Sequence, residues 1–389
     1  MNSSDAFIPY GRQNITEDDI SAVTDILRSP YLTQGPAVPA FEQAVSTIVG
    51  SNYAVAVNSA TSALHIACLA LGLGPGDWLW TSPTTFVASA NCARYCGANV
   101  DFVDIDPSSG LISVLALKEK LVQAEKLGRL PKIVVPVHLC GSSCKMDDIA
   151  ELAARYGFFI LEDASHAIGG SFKDKPVGSC EYSSICVFSF HPVKIITSGE
   201  GGMAVTNDPN LAQRMQDLRS HGITKDQTRF SLKSQGPWYY EQHLLGFNYR
   251  MTDIQAALGL SQLNRVHSII QERHEIFNRY KELLKDFPLV FLSCHREVFS
   301  SLHLAIIRLD SKNSSYHLDV FQGLRTYNIG VQLHYLPVHL QPYYRSLGFS
   351  EGDFPEAEAY ACNAISLPIY EGLCESSQLR VVEALDNLL

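Results

Sequence analysis

Lys194 and Asp163 are the two residues whose types and surroundings suit a shared chemistry. Lys194 ends the run Ser189-Phe190-His191-Pro192-Val193-Lys194, and the small-residue stretch Ser198-Gly199-Glu200-Gly201-Gly202 follows closely. Upstream, the apolar run Phe158-Phe159-Ile160-Leu161 delivers Glu162-Asp163. A carboxylate at the end of so apolar a strand is costly unless it is paired. A free lysine with a pKa near 10.4 is almost wholly protonated at neutral pH and is a poor base. Held as an imine it is already activated, and when displaced its amine is left beside the reacting carbon. Facing a pyridinium at about 3 Å, a carboxylate gains on the order of 5 kcal/mol gross at an effective dielectric near 20, ample to keep a ring nitrogen protonated. The pair points to pyridoxal phosphate. Lys194 is expected to be its covalent anchor and general acid/base, and Asp163 the partner of its ring nitrogen.

Two further segments fit that cofactor. Asn58-Ser59-Ala60-Thr61-Ser62-Ala63-Leu64 stands where a strand turns into a helix. First-turn N–H groups lack partners and the helix dipole favours an anion there, so a monophosphate is a natural guest. Serine or threonine at such a junction also serves as a plain N-cap; the lysine and aspartate favour the phosphate. Pro83-Thr84-Thr85-Phe86 closes the next strand. Phe86 suits either core packing or stacking on a flat heteroaromatic ring at the sheet's mouth.

The elements that must position these residues are read from hydrophobic period. Strands are expected at 53–57, 78–81, 101–103, 133–137, 158–161, 185–190 and 202–206, alternating with helices at 62–71, 87–95, 114–127 and 147–156. Such alternation predicts a mostly parallel sheet covered by helices, with ligands beyond the carboxyl ends of the strands. After Tyr249 the pattern changes. Thr252-Asp253-Ile254-Gln255 opens a capping box, and a helical period continues to about Asp286. That long helix is expected to bridge to a second lobe with strands near 303–309 and 329–334 and helices at 316–327, 355–361 and 375–389. The expected division is 1–250, a large cofactor-binding domain with an N-terminal arm, and 251–389, the bridging helix and a small domain.

Composition narrows the class. The chain has 389 residues, 46% of them apolar and 18% charged, with a net charge of −10. That acidity argues against nucleic acid as a partner. The polar start Met1-Asn2-Ser3-Ser4-Asp5 and the lack of an apolar run of roughly 20 residues argue against a secretory signal and a membrane span, so a cytoplasmic location is expected. The ten cysteines read as reduced thiols acting as small hydrophobes, rather than as metal ligands.

Taken together the motifs resemble the DegT/DnrJ/EryC1/StrS sugar aminotransferase family almost from end to end. They are Asn58–Leu64, Thr84–Asn91, Glu162–Ala167, Ser189–Lys194 with Glu200–Gly202, and Gly246–Ile254. The resemblance implies a fold type I α/β aminotransferase that works as a homodimer with its active sites at the interface. It makes Lys194 the lysine that binds the cofactor and Asp163 the ring-nitrogen partner. It places Phe86 on the ring, with His166 beside it where many relatives have glutamine. Ala60, Thr61 and Ser189 then hold the phosphate, and Asn248 reaches it from the neighbouring subunit. Relatives that act as dehydratases have histidine in place of the lysine, which this chain keeps.

Tyr10–Gln13, Tyr31–Pro36, Arg219–Gly222, Leu258–Leu263 and Gln332–His339 resemble the subgroup serving pseudaminic acid synthesis. That subgroup implies amination, with glutamate as donor, at C4 of a UDP-linked 4-keto-6-deoxy-N-acetylhexosamine. It also implies substrate contacts from Tyr10, Tyr31, Leu32, Thr33, His334 and Tyr335. Read as residues alone, Tyr31 and Tyr335 also suit interface packing and His334 a satisfied buried histidine. The alternatives are another nucleotide-linked 4-keto sugar (legionaminic, perosamine or bacillosamine type) and a non-catalytic dimer that binds sugar nucleotide. Segment 224–240 departs from the family pattern and is expected to reshape the sugar-nucleotide pocket.

Overall fold

Alternate side chains of single strands enter two different apolar clusters in the computed structural model, which describes residues 6–310 and 314–389. Val55 and Val57 join one cluster while Ala54 and Ala56 join the other; Ile185 and Val187 oppose Cys186 and Phe188 in the same way. This is the period-two pattern of a sheet buried on both faces. Its strands are β1 (Tyr53–Val57), β2 (Trp78–Thr81), β3 (Asn99–Phe102), β4 (Ile133–Val135), β5 (Phe159–Asp163), β6 (Ile185–Ser189) and β7 (Gly202–Thr206). The lateral order is β1-β7-β6-β5-β4-β2-β3. Strands β2 to β6 pair in parallel, whereas β7 runs antiparallel to both β1 and β6.

Local sequence fixes where these strands end. The helix Met146–Tyr156 stops at Gly157, whose φ of 77° is left-handed, and the chain turns directly into β5. Along β5, Glu162 and Asp163 point to opposite faces. Glu162 Oε2 lies 2.7 Å from His138 Nε2 on one side, which leaves Asp163 for the other. Glu162 is thus paired, and Asp163 is turned to the opposite face.

A second sheet is antiparallel, with Ala305–Leu309 between Leu289–Phe291 and Ala364–Leu367. It shares a third cluster with the helices Val266–Leu283, Ser314–Thr326 and Glu375–Asp386, through Ile276, Ile307, Val320, Leu324, Val381 and Leu385. Ile8 joins the same cluster, its backbone bridged to Ile329. No helix among the described residues is long and apolar enough to cross a membrane.

The structure corrects several expectations. The single helix at 252–286 is two, Asp253–Leu263 and Val266–Leu283. Asn264, a poor interior helix residue, stands at the C-cap, and Arg265 leaves helical angles with its N–H on Gln262 O at 3.1 Å. Apolar period survives the break because both helices bury related faces. The expected strand at 329–334 is irregular chain with isolated bridges from Ile329 to Ile8 and from Gln332 to Ser366. Two helices that apolar period did not reveal, Glu17–Arg28 and Ala37–Val49, precede β1. Seven cysteines are buried as small core residues, but Cys294, Cys362 and Cys374 are exposed.

Candidate active site

One end of the site is a helix N-terminus. The helix Ala60–Ala70 starts just past β1, and its N-cap Ser59 accepts the Ser62 N–H at 3.1 Å. Ser62 in turn donates its hydroxyl to Asn58 at 2.7 Å. The turn lies directly on β7, where a Cβ added to Gly202 would fall 2.5 Å from Ala60 N and 2.6 Å from Ser59 O. Ser189 pairs with Gly202 across the β6–β7 register, which brings its hydroxyl to the same end. Ala60, Thr61 and Ser189 all line one cavity of about 480 Å³.

Asp163 marks the other end. It is 4% exposed, and its carboxylate accepts the Ser89 hydroxyl at 2.6 Å and the Ser165 N–H at 3.1 Å. Lys194 stands on the β6–β7 hairpin loop, its N–H on His191 O at 2.9 Å. The same loop is closed by the Phe190 N–H on Gly201 O at 2.9 Å and the Ser198 N–H on Phe190 O at 3.0 Å. Burial pushes the Lys194 amine down to about 8, and the Asp163 carboxylate opposes that shift without cancelling it. On the order of one Lys194 amine in ten is then neutral at pH 7.

Histidines crowd the wall opposite. His166 and His303 have ring centroids 4.3 Å apart, and His166 Nε2 lies 3.1 Å from the Tyr335 hydroxyl. Burial holds both rings well below the usual histidine range, and the nearby Lys194 charge adds to it. His334 is pushed to about 3 by burial, then by Lys194, while its Nδ1 sits 2.7 Å from Ser366 Oγ. All three are neutral imidazoles at physiological pH. Phe86 is 58% exposed at the mouth, its ring 6.4 Å from that of Tyr335, so core packing does not account for it.

The cavity thus gathers Tyr10, Ala60, Thr61, Phe86, Asp163, His166, Ser189, Lys194, His334 and Tyr335 of the expected residues. Tyr31, Leu32, Thr33 and Asn248 are exposed and do not line it. Segment 224–240 also lies outside its lining. That segment folds around the Glu241 carboxylate, which accepts the Ser231 and Leu232 N–H groups at 2.7 Å each and the Tyr239 hydroxyl at 3.0 Å, and leaves Trp238 75% exposed. Sequence reasoning missed His303, Ser89 and the spatial task of Gly202. A lone histidine ahead of the apolar run 304–309 gave no signal, whereas Ser89 and Gly202 stood inside the motifs Thr84–Asn91 and Glu200–Gly202.

The sequence profile of the DegT/DnrJ/EryC1/StrS aminotransferase family matches residues 13–386. The chain belongs to this family. Among relatives, the spore coat polysaccharide biosynthesis protein SpsC of Bacillus subtilis is 38% identical, over 98% of this chain and 97% of that one. The UDP-4-amino-4-deoxy-L-arabinose–oxoglutarate aminotransferase of Shewanella sediminis is 35% identical over 99% of each chain. Of solved structures, Helicobacter pylori PseC, an aminotransferase involved in the biosynthesis of pseudoaminic acid, superposes with a TM-score of 0.90 at 32% identity, covering 98% of this chain and 99% of that one. Spr1654 of Streptococcus pneumoniae, solved in a PLP form, gives a TM-score of 0.88 at 29% identity, covering 98% and 100%.

As a DegT/DnrJ/EryC1/StrS member the chain is a fold type I sugar aminotransferase that uses pyridoxal phosphate. The residues present fit that group. A helix N-terminus for a phosphate and a carboxylate for a ring nitrogen stand in one cavity of suitable volume, with an amine on its wall. His166 Nδ1 is buried with no hydrogen-bond partner among the described residues, as expected of a group that a bound ligand satisfies.

Proposed function

We propose that the enzyme transfers an amino group from L-glutamate to the C4 ketone of a UDP-linked 4-keto-6-deoxy-N-acetylhexosamine. The product is UDP-4-amino-4,6-dideoxy-N-acetyl-β-L-altrosamine, for pseudaminic acid synthesis. One observation carries the chemistry: the Lys194 amine shares a cavity with the buried Asp163 carboxylate and the N-terminus of helix Ala60–Ala70. Likeness to Helicobacter pylori PseC over nearly the whole chain supports the choice of sugar.

When bound, pyridoxal phosphate supplies an aldehyde that exchanges amino groups and an electron-poor ring that draws charge from the reacting carbon. Lys194 Nζ would hold the aldehyde carbon at rest. Once released, the same nitrogen takes the proton from Cα of glutamate and later delivers one to C4 of the sugar. Its lowered pKa suits both duties, since neither protonation state is remote near neutral pH. Asp163 would keep the ring nitrogen protonated, Phe86 cover the ring face, and His166 stand at the ring's side. The N–H groups of Ala60 and Thr61, with the Thr61 and Ser189 hydroxyls, would hold the phosphate. Tyr10, His334 and Tyr335 would form the wall against which the sugar lies. Asn248, and with it the loop Tyr31-Leu32-Thr33, are exposed away from their own cavity and would serve a second copy, which makes a homodimer the working unit.

The 35% identity to the Shewanella sediminis enzyme favours a second reading, a UDP-linked 4-keto pentose as acceptor. Incubating the protein with glutamate and a panel of UDP-, GDP- and dTDP-linked 4-keto sugars, with mass spectrometry of the products, decides between them. The N-acetylhexosamine is expected to be aminated fastest. Preference for the pentose would replace this assignment, and no product from any keto sugar would end it.

A further inference from the structure

Asp163 does not stand alone: two hydroxyls from the turn that carries Phe86 hold it in place. Ser89, in the first turn of the helix Ala88–Tyr95, donates to Asp163 Oδ2 at 2.6 Å. The Thr85 hydroxyl lies 2.8 Å from Ser89 Oγ. Ser89 has a single hydroxyl proton, and the carboxylate, having none to give, takes it. Thr85 must then be the donor of the second bond, and the chain runs one way: Thr85 to Ser89 to Asp163. All three residues are buried. Ser89 is absent from the cavity lining, unlike Thr85 and Asp163.

From this geometry we infer that Ser89 is a positioning residue that acts on the amino transfer through Asp163. It fixes the carboxylate's rotamer and occupies one lone pair of Oδ2, while the Ser165 N–H occupies one of Oδ1. The remaining lone pairs face the cavity in a set direction. Phe86 lies between Thr85 and Ser89 in the chain, so one turn sets the aromatic ring at the mouth and the acid beneath it. A cofactor ring bound between them would be located from its face and from its nitrogen by the same few residues. This inference rests on the role proposed for Asp163.

The test uses the full-length enzyme loaded with pyridoxal phosphate and follows the glutamate half-reaction by loss of the visible absorbance band. Ser89→Ala is expected to slow the saturated rate about 10- to 100-fold, the equivalent of one charge-assisted hydrogen bond. The glutamate concentration giving half-saturation should stay within about twofold, since Ser89 touches no substrate. Thr85→Val should cost a smaller, several-fold loss that Thr85→Ser restores. A purely structural role would lower the melting temperature without separating rate from half-saturation. Wild-type rate in Ser89→Ala, with Asp163→Asn slow, overturns the positioning role alone. Wild-type rate in Asp163→Asn overturns the role of Asp163 and this inference with it. Should Ser89→Ala fail to hold cofactor, the Thr85 pair decides: equal rates in Thr85→Val and Thr85→Ser overturn the relay.

Discussion

Replacing Gly202 with alanine tests whether the phosphate end depends on the sheet lying hard against the helix N-terminus. The added Cβ would stand 2.5 Å from both Ala60 N and Ser59 C, and 2.6 Å from Ser59 O. Non-bonded heavy atoms rest at about 3.5 Å or more, so the Ser59–Ala60 backbone must retreat by roughly 1 Å. No flexible side chain yields first, because the three nearest atoms are all backbone. Gly202 has no positive φ, so the substitution tests space and not backbone strain. Overpacking of this kind costs about 1–3 kcal/mol in stability. The same retreat moves the N–H groups of Ala60 and Thr61, the proposed phosphate donors, and losing one hydrogen bond to a charged phosphate costs about 1.5–3 kcal/mol. Cofactor affinity should therefore fall on the order of 10- to 100-fold. Titrating the cofactor-free protein with pyridoxal phosphate by absorbance, beside a thermal melt, reads both effects. Gly74→Ala, with nothing within 4 Å of its Cβ and no positive φ, is the control expected to change neither. Wild-type cofactor affinity in Gly202→Ala would refute the claim that this contact sets the phosphate cradle.

Other residues give further expectations. Lys194→Ala should leave the protein folded but cut turnover by at least about 10²–10⁴-fold, the usual share of a positioned acid/base; amination at near wild-type rate would remove Lys194 from the mechanism. Asp163→Ala should lose on the order of a thousandfold in kcat, the rate equivalent of the pyridinium attraction after partial compensation, and full activity there would undercut the ring-nitrogen argument. Only the neutral amine attacks an aldehyde, and burial draws Lys194 down to about 8. The rate of cofactor capture by the cofactor-free protein should thus rise with pH, reach half its maximum near pH 8, and flatten above it. A rate still climbing tenfold per unit through pH 10 would show an ordinary, solvated lysine.

Lys194, Asp163 and the Asn58–Leu64 turn were legible because each breaks a strong local pattern. A charge ends an apolar strand, a lysine stands beside a glycine-rich loop, and small polar residues open a helix. Sheet strands were legible for the same reason, since a strand buried on both faces is a short apolar run between turn residues. The break at Asn264–Arg265 was hidden because apolar period reports which face is buried, not whether the axis is continuous. The segment 329–334 has the apolar composition of a strand, yet only Ile329 and Gln332 find bridging partners. Arg265 shows what period cannot see: its guanidinium meets Asp19 at 3.0 Å and Glu371 at 3.1 Å, residues from opposite ends of the chain.

The hydroxyl relay lies beyond sequence reading for a related reason. Within Ala88-Ser89-Ala90 a serine reads as one more small helix residue, and its partner Asp163 is 74 positions away. A parallel sheet brings such residues together as a matter of topology. Strands β2, β4 and β5 are adjacent and parallel, so the loops leaving their carboxyl ends share one rim, and side chains from distant segments converge there. The convergence also explains why Phe86 is free to stay exposed. Its neighbours Thr85 and Ser89 are tied down by hydrogen bonds within the protein, which fixes the turn without any burial of the aromatic ring. If Phe86 stacks on the cofactor as proposed, a ring held in this way is ready before its ligand arrives, and little ordering cost remains when it is covered.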